Sequence, residues 1–253
     1  LRELHDQIFS HHDIVTVGEC AGMTVQTTID IAAPERRELD MAFLFEPVSD
    51  VYAHGMQPSR LKEILTRWQT GLHGRAWVGL GFNNHDQARV VSAFGDDSAE
   101  HRVASAKCFG TLLLTLQGTP FIYQGEELGM PNVAFEHIDD YQDLNTHHRY
   151  RQNLAKGWTP ERALAEEHAF SRDNARTPMP WDASTHAGFT TGTPWLAVGP
   201  SFNTVNVAAA LSDEGSVFHH YRQLIALRKQ WPALVHGDFV RLDADDGPVF
   251  AYS

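Results

Sequence analysis

Two stretches of this chain set an acid directly behind a short β-rich apolar run: TVGE at 16–19 and GFNNHDQARVV at 81–91. A carboxylate at the end of a strand is available for proton transfer or for stabilising positive charge, which makes Glu19 and Asp86 the leading catalytic candidates. The neighbours of Asp86 strengthen its case. Asn83, Asn84, His85, Asp86 and Gln87 are five consecutive hydrogen-bonding side chains, a set that a core does not easily satisfy. Sugar hydroxyls would satisfy them, and a polar turn built on Asn and Asp is the structural alternative. Glu19 follows Val17-Gly18, where glycine would let a ligand approach the backbone, and it suits a proton donor. Its competing reading is a strand-end carboxylate paired with a surface cation. Two carboxylates on neighbouring strands fit glycosidic chemistry, in which one protonates a leaving oxygen and the other stabilises charge on the sugar.

Further residues belong to the same argument. Arg172 and Arg176, in SRDNART, could clamp a carboxylate or a sugar, or form a surface ion pair. His85 could donate to a sugar hydroxyl. In Tyr123-Gln124-Gly125-Glu126-Glu127 the glycine serves a turn and the acids could cap the next helix, a mainly structural role. Trp68, Trp158, Trp181 and Trp195 offer stacking faces or core packing. The 15 histidines include the pairs His11-His12, His147-His148 and His219-His220, none at metal-site spacing, so no metal and no cofactor is expected and most histidines read as solvated surface. Cys20 and Cys108 do not make a disulfide scaffold, which points to a reducing, cytoplasmic setting.

The elements that must hold these residues follow from pattern. Short apolar runs at 13–19, 39–46, 76–86 and 119–127 alternate with helical periodicity at 58–72 and 100–117, as in a parallel sheet or barrel of βα units. In a βα barrel the polar strand ends form the active face. A long loop region over 131–215, with helical material at 137–169, is expected to cap a pocket. Helical periodicity returns at 216–230, and the tail alternates like a hairpin with its turn at Asp245-Asp246-Gly247. The net charge of −12 argues against nucleic acid. No apolar run approaches the roughly 18 residues of a membrane span. The chain opens within an amphipathic helical pattern, LRELHDQIFSHHD, and reads as a fragment.

In order and spacing, TVGE, ELDMAFLFE, NNHDQARVVSAFGDD, GTPFIYQGEELGMPN, RDNARTPMPWD and HAGFTTGTPWLAV resemble the α-amylase superfamily, and within it the oligo-1,6-glucosidase and α-glucosidase branch. That resemblance implies an α/β fold: a partial (β/α)8 TIM barrel, strands five to eight, with the start of a C-terminal antiparallel β domain. Residues 1–232 would be the barrel half, including the loop region 131–215 after the eighth strand, and 233–253 the first strands of the β domain. It also implies retaining hydrolysis of α-glucosidic bonds in a small oligosaccharide, with Glu19 as acid/base, Asp86 as transition-state stabiliser, and His85 and Arg176 at the −1 sugar. Asn145 stands where the family often has a Glu lining the +1 subsite, which leaves linkage open. The family's strand-three and strand-four motifs, the latter with the nucleophilic Asp, are absent. The chain alone is therefore expected to be inactive, and to pair with the missing N-terminal half or self-associate. Sucrose isomerase, trehalose-6-phosphate hydrolase and a non-catalytic sugar-binding relative are the alternatives.

Overall fold

Four apolar runs form short parallel strands, β1 Val17–Gly18, β2 Met41–Phe43, β3 Val78–Leu80 and β4 Thr119–Pro120. The computed structural model describes residues 1–36, 38–243 and 247–253. The strands lie in the order β1-β2-β3-β4, with Val17 opposite Met41, Ala42 opposite Val78 and Gly79 opposite Thr119. Parallel neighbours require crossovers, and helices lie in each connection. Met41, Ala42, Val78, Gly79 and Leu80 are buried, which explains why these runs are apolar throughout instead of alternating. β1 and β3 are not neighbours, because β2 lies between them. The expectation that Glu19 and Asp86 follow adjacent strands is corrected accordingly.

The chain divides into two compact units. One holds Leu1–Phe82, Leu112–Phe121 and Ile225–Ser253, and the other Asn83–Thr111 and Ile122–Leu224. In the first, the helix Pro58–Leu72 buries Leu61, Ile64, Leu65, Trp68 and Leu72 at helical spacing. Trp68 is core, with Nε1 donating to Glu46 Oε2 at 2.6 Å, and is no sugar platform. The apolar run 39–46 ends earlier than its composition predicts. A helix, Glu46–His54, starts at Glu46 with Pro47 in its first turn, where proline's missing N–H costs nothing. A further helix, Val25–Ala32, forms despite its β-branched residues. Thr24 and Thr27 cap each other's main-chain N–H groups, and Ile29 and Ala32 are buried. The tail pairs antiparallel, Val240 with Ser253 and Arg241 with Tyr252. Two residues of its expected turn, Asp245 and Asp246, lie outside the described residues. Lys62 ties this tail to the helix Pro58–Leu72, donating to Asp243 Oδ2 at 2.9 Å and to the carbonyls of Gly247 and Val249.

The second unit contains the whole of the long region 131–215, which is more regular than a loop. It includes the helices Leu144–Ala155, Pro160–Phe170 and Val207–Ser212 and several 3-10 turns. Val133, Phe135, Tyr141 and Leu196 form one apolar cluster, and Leu128, Met130 and Val205 another. His147 and His220 are half-buried here and hydrogen-bonded to Tyr141 O and Thr111 Oγ1, unlike the solvated surface expected of most histidines. Both cysteines are free thiols. Among the described residues no helix is long and apolar enough to cross a membrane.

Candidate active site

Six residues beyond β3 the chain reaches Asp86, through a turn made by its own asparagines. Asn84 Oδ1 accepts the Asp86 N–H at 2.8 Å, and Asn83 Oδ1 accepts the Val90 N–H at 2.7 Å, which caps the helix Val90–Ala93. The polar run is thus partly a structural turn. What the turn presents is an aspartate whose side chain is 37% exposed.

Two arginines meet that aspartate. Arg176 Nη2 donates to Asp86 Oδ1 at 2.5 Å and Arg172 Nη1 to the same oxygen at 3.3 Å. Arg176 Nε also donates to the His85 carbonyl at 2.8 Å. Asp86 Oδ2 lies 3.5 Å from His85 Nε2, and the His85 side chain is 61% exposed. One oxygen is therefore fixed by charge while the other remains open to a ligand hydroxyl.

Asp143, which sequence reasoning passed over, completes the network. Its side chain is almost fully buried. Oδ1 accepts from Arg172 Nε at 3.1 Å and Nη2 at 2.5 Å, and lies 3.6 Å from Arg176 Nη1. Oδ2 caps the helix Leu144–Ala155 by accepting the Thr146 N–H at 3.1 Å. Burial pushes the Asp143 pKa up, but the bonds and charge of Arg172, with Thr146, more than offset this and hold it below the usual carboxylate range. Asp143 raises Arg172 in turn. Two aspartates and two arginines alternate, so the cluster is neutral and each arginine is held from both sides. The signal in the sequence lies in IDDYQDLN, which holds Asp143 two residues before Asn145.

A short 3-10 helix, Arg172–Ala175, sets the arginines' spacing. Ser171 caps it, accepting the Asp173 N–H at 3.2 Å, and Asp173 Oδ2 accepts the N–H groups of Gln142 and Asp143 at 2.6 and 2.9 Å. These bonds bring Arg172 and Asp143 together from segments about thirty residues apart. The pair is no surface ion bridge, because Asp143 is buried.

Glu19 is exposed directly after β1. Gly18 is needed for packing, since a Cβ there would lie 2.6 Å from Leu39 Cδ1, so its glycine gives no evidence of an approaching ligand. Asn145 is exposed on the first turn of the helix that Asp143 caps. Trp181 and Trp195 are exposed, while Trp158 is half-buried with Arg162 over its ring. Glu127 Oε2 accepts the Gly125 N–H at 2.8 Å, in keeping with a turn role. Glu126 is different: it is 2% exposed and its Oε1 accepts the Tyr221 hydroxyl at 2.7 Å. Among the described residues, no group of three or more His, Cys, Asp or Glu is arranged to hold a metal ion.

The family description "Alpha amylase, catalytic domain" matches residues 1–237. The chain belongs to the α-amylase catalytic-domain family. Within that family it is 48% identical over 259 residues to an oligo-1,6-glucosidase of Halalkalibacterium halodurans and 44% identical over 260 residues to a trehalose-6-phosphate hydrolase of Bacillus subtilis, in both cases over 100% of this chain and 46% of the relative. The chain spans about half the length of the curated relatives it matches. The solved isomaltulose synthase of Erwinia rhapontici NX5 superposes with a TM-score of 0.92 at 38% identity, covering 99% of this chain and 46% of that one. Family membership and an α/β fold with a parallel sheet are thereby established.

Proposed function

We propose that this chain is part of a retaining glycoside hydrolase that cleaves α-glucosidic bonds in short oligosaccharides. The observation that carries this reading is the Asp86 carboxylate, clamped on one oxygen by Arg172 and Arg176 and open on the other, in a chain whose relatives include oligo-1,6-glucosidases. Asp86 is the stabiliser of positive charge at the reacting sugar. His85 and Arg176 meet that sugar's hydroxyls. Glu19, exposed at the end of β1, is the acid/base, and Asn145 bears on the +1 sugar. Retaining hydrolysis also needs a nucleophilic carboxylate about 5–5.5 Å from the acid/base. In this reading another segment of the whole protein supplies it, so the 253-residue chain by itself does not turn over.

The same reading makes β1–β4 strands five to eight of a (β/α)8 barrel over residues 1–232, with 233–253 opening an antiparallel β domain. The antiparallel pairing of Val240 with Ser253 supports that last assignment. Trehalose-6-phosphate hydrolysis and sucrose isomerisation are the second reading, favoured by relatives bearing the names trehalose-6-phosphate hydrolase and isomaltulose synthase. Product analysis of the whole protein on isomaltose, sucrose and trehalose 6-phosphate separates them. Glucose release from isomaltose, reduced about 1,000-fold by both Glu19→Gln and Asp86→Asn, is the expected result. Undiminished turnover in Glu19→Gln would remove Glu19 from the mechanism.

A further inference from the structure

Arg89 is 1% exposed, yet among the described residues its guanidinium hydrogen bonds go to main-chain carbonyls. Nε donates to Asn174 O at 3.0 Å, Nη2 to Ala175 O at 3.3 Å and Nη1 to Gln124 O at 2.6 Å. Asn174 and Ala175 lie between Arg172 and Arg176, the two residues that clamp Asp86. The Tyr123 hydroxyl donates to the same Ala175 carbonyl at 2.9 Å, and the Arg89 guanidinium lies 5.4 Å from the centre of the Tyr123 ring. The root of the Arg89 side chain is fixed as well, because its main-chain N–H donates to Asn132 Oδ1 at 2.8 Å. Arg89 stands three residues after Asp86, beyond the same turn.

Burial without a bonded carboxylate is an expensive way to fill a core, and an apolar side chain would pack there at lower cost. The guanidinium meets the three carbonyls with three nitrogens held in one plane, a fixed spread that the single nitrogen of an ammonium does not have. Gly125 keeps the necessary space: its φ is +87°, and a Cβ there would lie 2.3 Å from Met130 Sδ and 3.1 Å from Arg89 Nη1. The arrangement is specific to one geometry of the segment 172–176.

We propose that Arg89 is a positioning residue that sets the Arg172–Arg176 segment against Asp86 and so fixes the direction in which the Asp86 carboxylate meets a glycosyl ligand. The role of Asp86 in this statement rests on the hydrolase reading above; the positioning of Arg176 by Arg89 does not.

The test uses the whole protein containing this chain and the variants Arg89→Met, Arg89→Lys and Tyr123→Phe. In a crystal structure of Arg89→Met, Arg176 Nη2 is expected beyond hydrogen-bond distance of Asp86 Oδ1. With a nitrophenyl α-glucoside, kcat falls about 100-fold while KM changes less than about threefold, and Arg89→Lys recovers only part of the loss. Tyr123→Phe, which removes one of the two donors to Ala175 O, loses about fivefold. Combined with Arg176→Ala, Arg89→Met adds less than about threefold further loss, because the group through which it acts is already gone. Losses that multiply in the double variant, or an Arg176–Asp86 bond preserved in Arg89→Met, overturn the proposal. Should Arg89→Met not fold, the same cycle and crystal structure with Tyr123→Phe decide it. Should the wild-type protein hydrolyse no α-glucoside, the functional reading fails, and the crystal structure alone decides the positioning.

Discussion

Glu126 shows what a single buried carboxyl implies. Burial pushes its pKa up, and the Asn83 side chain, the Tyr221 hydroxyl and the Tyr123 N–H, which favour the charged form, do not offset this. With a folded-state pKa above the unfolded value of about 4.3, the native protein holds a proton that the unfolded chain has released. Stability from this group is complete below about pH 4.3 and is lost as the pH rises through the folded-state pKa. Glu126→Gln removes that loss. The unfolding free energy of the variant relative to wild type is expected to climb with pH above about 4.3, by at most about 1.4 kcal/mol per unit, and then to level off. Denaturant titrations over a pH series measure it, and a flat difference would mean that Glu126 is not held protonated. Sequence alone did not separate Glu126 from Glu127: both acids fit a turn, and only the packing of Tyr221 decides which is buried. Asp86 stood out in the sequence as an acid among amides behind a strand, and the structure shows that Asn83 and Asn84 also build the turn that carries it. Asp143 did not stand out, because its burial comes from bonds to Arg172 and Thr146 made after folding.

At the scale of elements, the carbonyl ends of helices need partners, and one arginine serves several. Arg228, on the helix Val217–Gln230, donates to the carbonyls of Leu114 and Leu116 at 3.0 and 2.9 Å, Leu234 at 2.7 Å and Gly118 at 2.6 Å. It thereby closes the end of the helix Arg102–Thr115 and the turn into β4. Arg228→Met leaves these carbonyls short of a donor and is expected to lower the unfolding free energy by about 3 kcal/mol, with Arg228→Lys losing less. A loss within about 0.5 kcal/mol, read by urea unfolding, would show that water takes over those bonds. Such dependence between distant segments is what sequence periodicity does not reveal. Where one element carries its own pattern, as in the helix Pro58–Leu72, its span was legible. The helix Val25–Ala32 was not, since its β-branched composition disfavours a helix and its stability comes from the Thr24–Thr27 cap and from burial. The helix Glu46–His54 was hidden in the same way, its first residue reading as the end of an apolar run.

For the whole chain, edge chemistry and net charge act in opposite directions. β4 ends the sheet with Pro120, which has no N–H to offer a further strand. β1, at the opposite edge, has no such block, and Val15 just before it and Val17 within it are 69% and 37% exposed. Leu1, Leu4, Ile8 and Ile14 are also exposed in the same unit. An open edge with apolar neighbours favours pairing with another chain or with a further segment of the whole protein. The net charge of −12 opposes a second copy through repulsion, which salt screens beyond about 10 Å at 0.1 M. The purified 253-residue chain is therefore expected to associate, and to do so more strongly at about 0.5 M salt than at about 0.02 M, the reverse of an ion-paired interface. Val17→Lys, which places a charge on the edge, should reduce the associated fraction severalfold. Light scattering over about 1–100 μM measures all three, and a constant monomer mass at both salt concentrations would show that the edge is already protected.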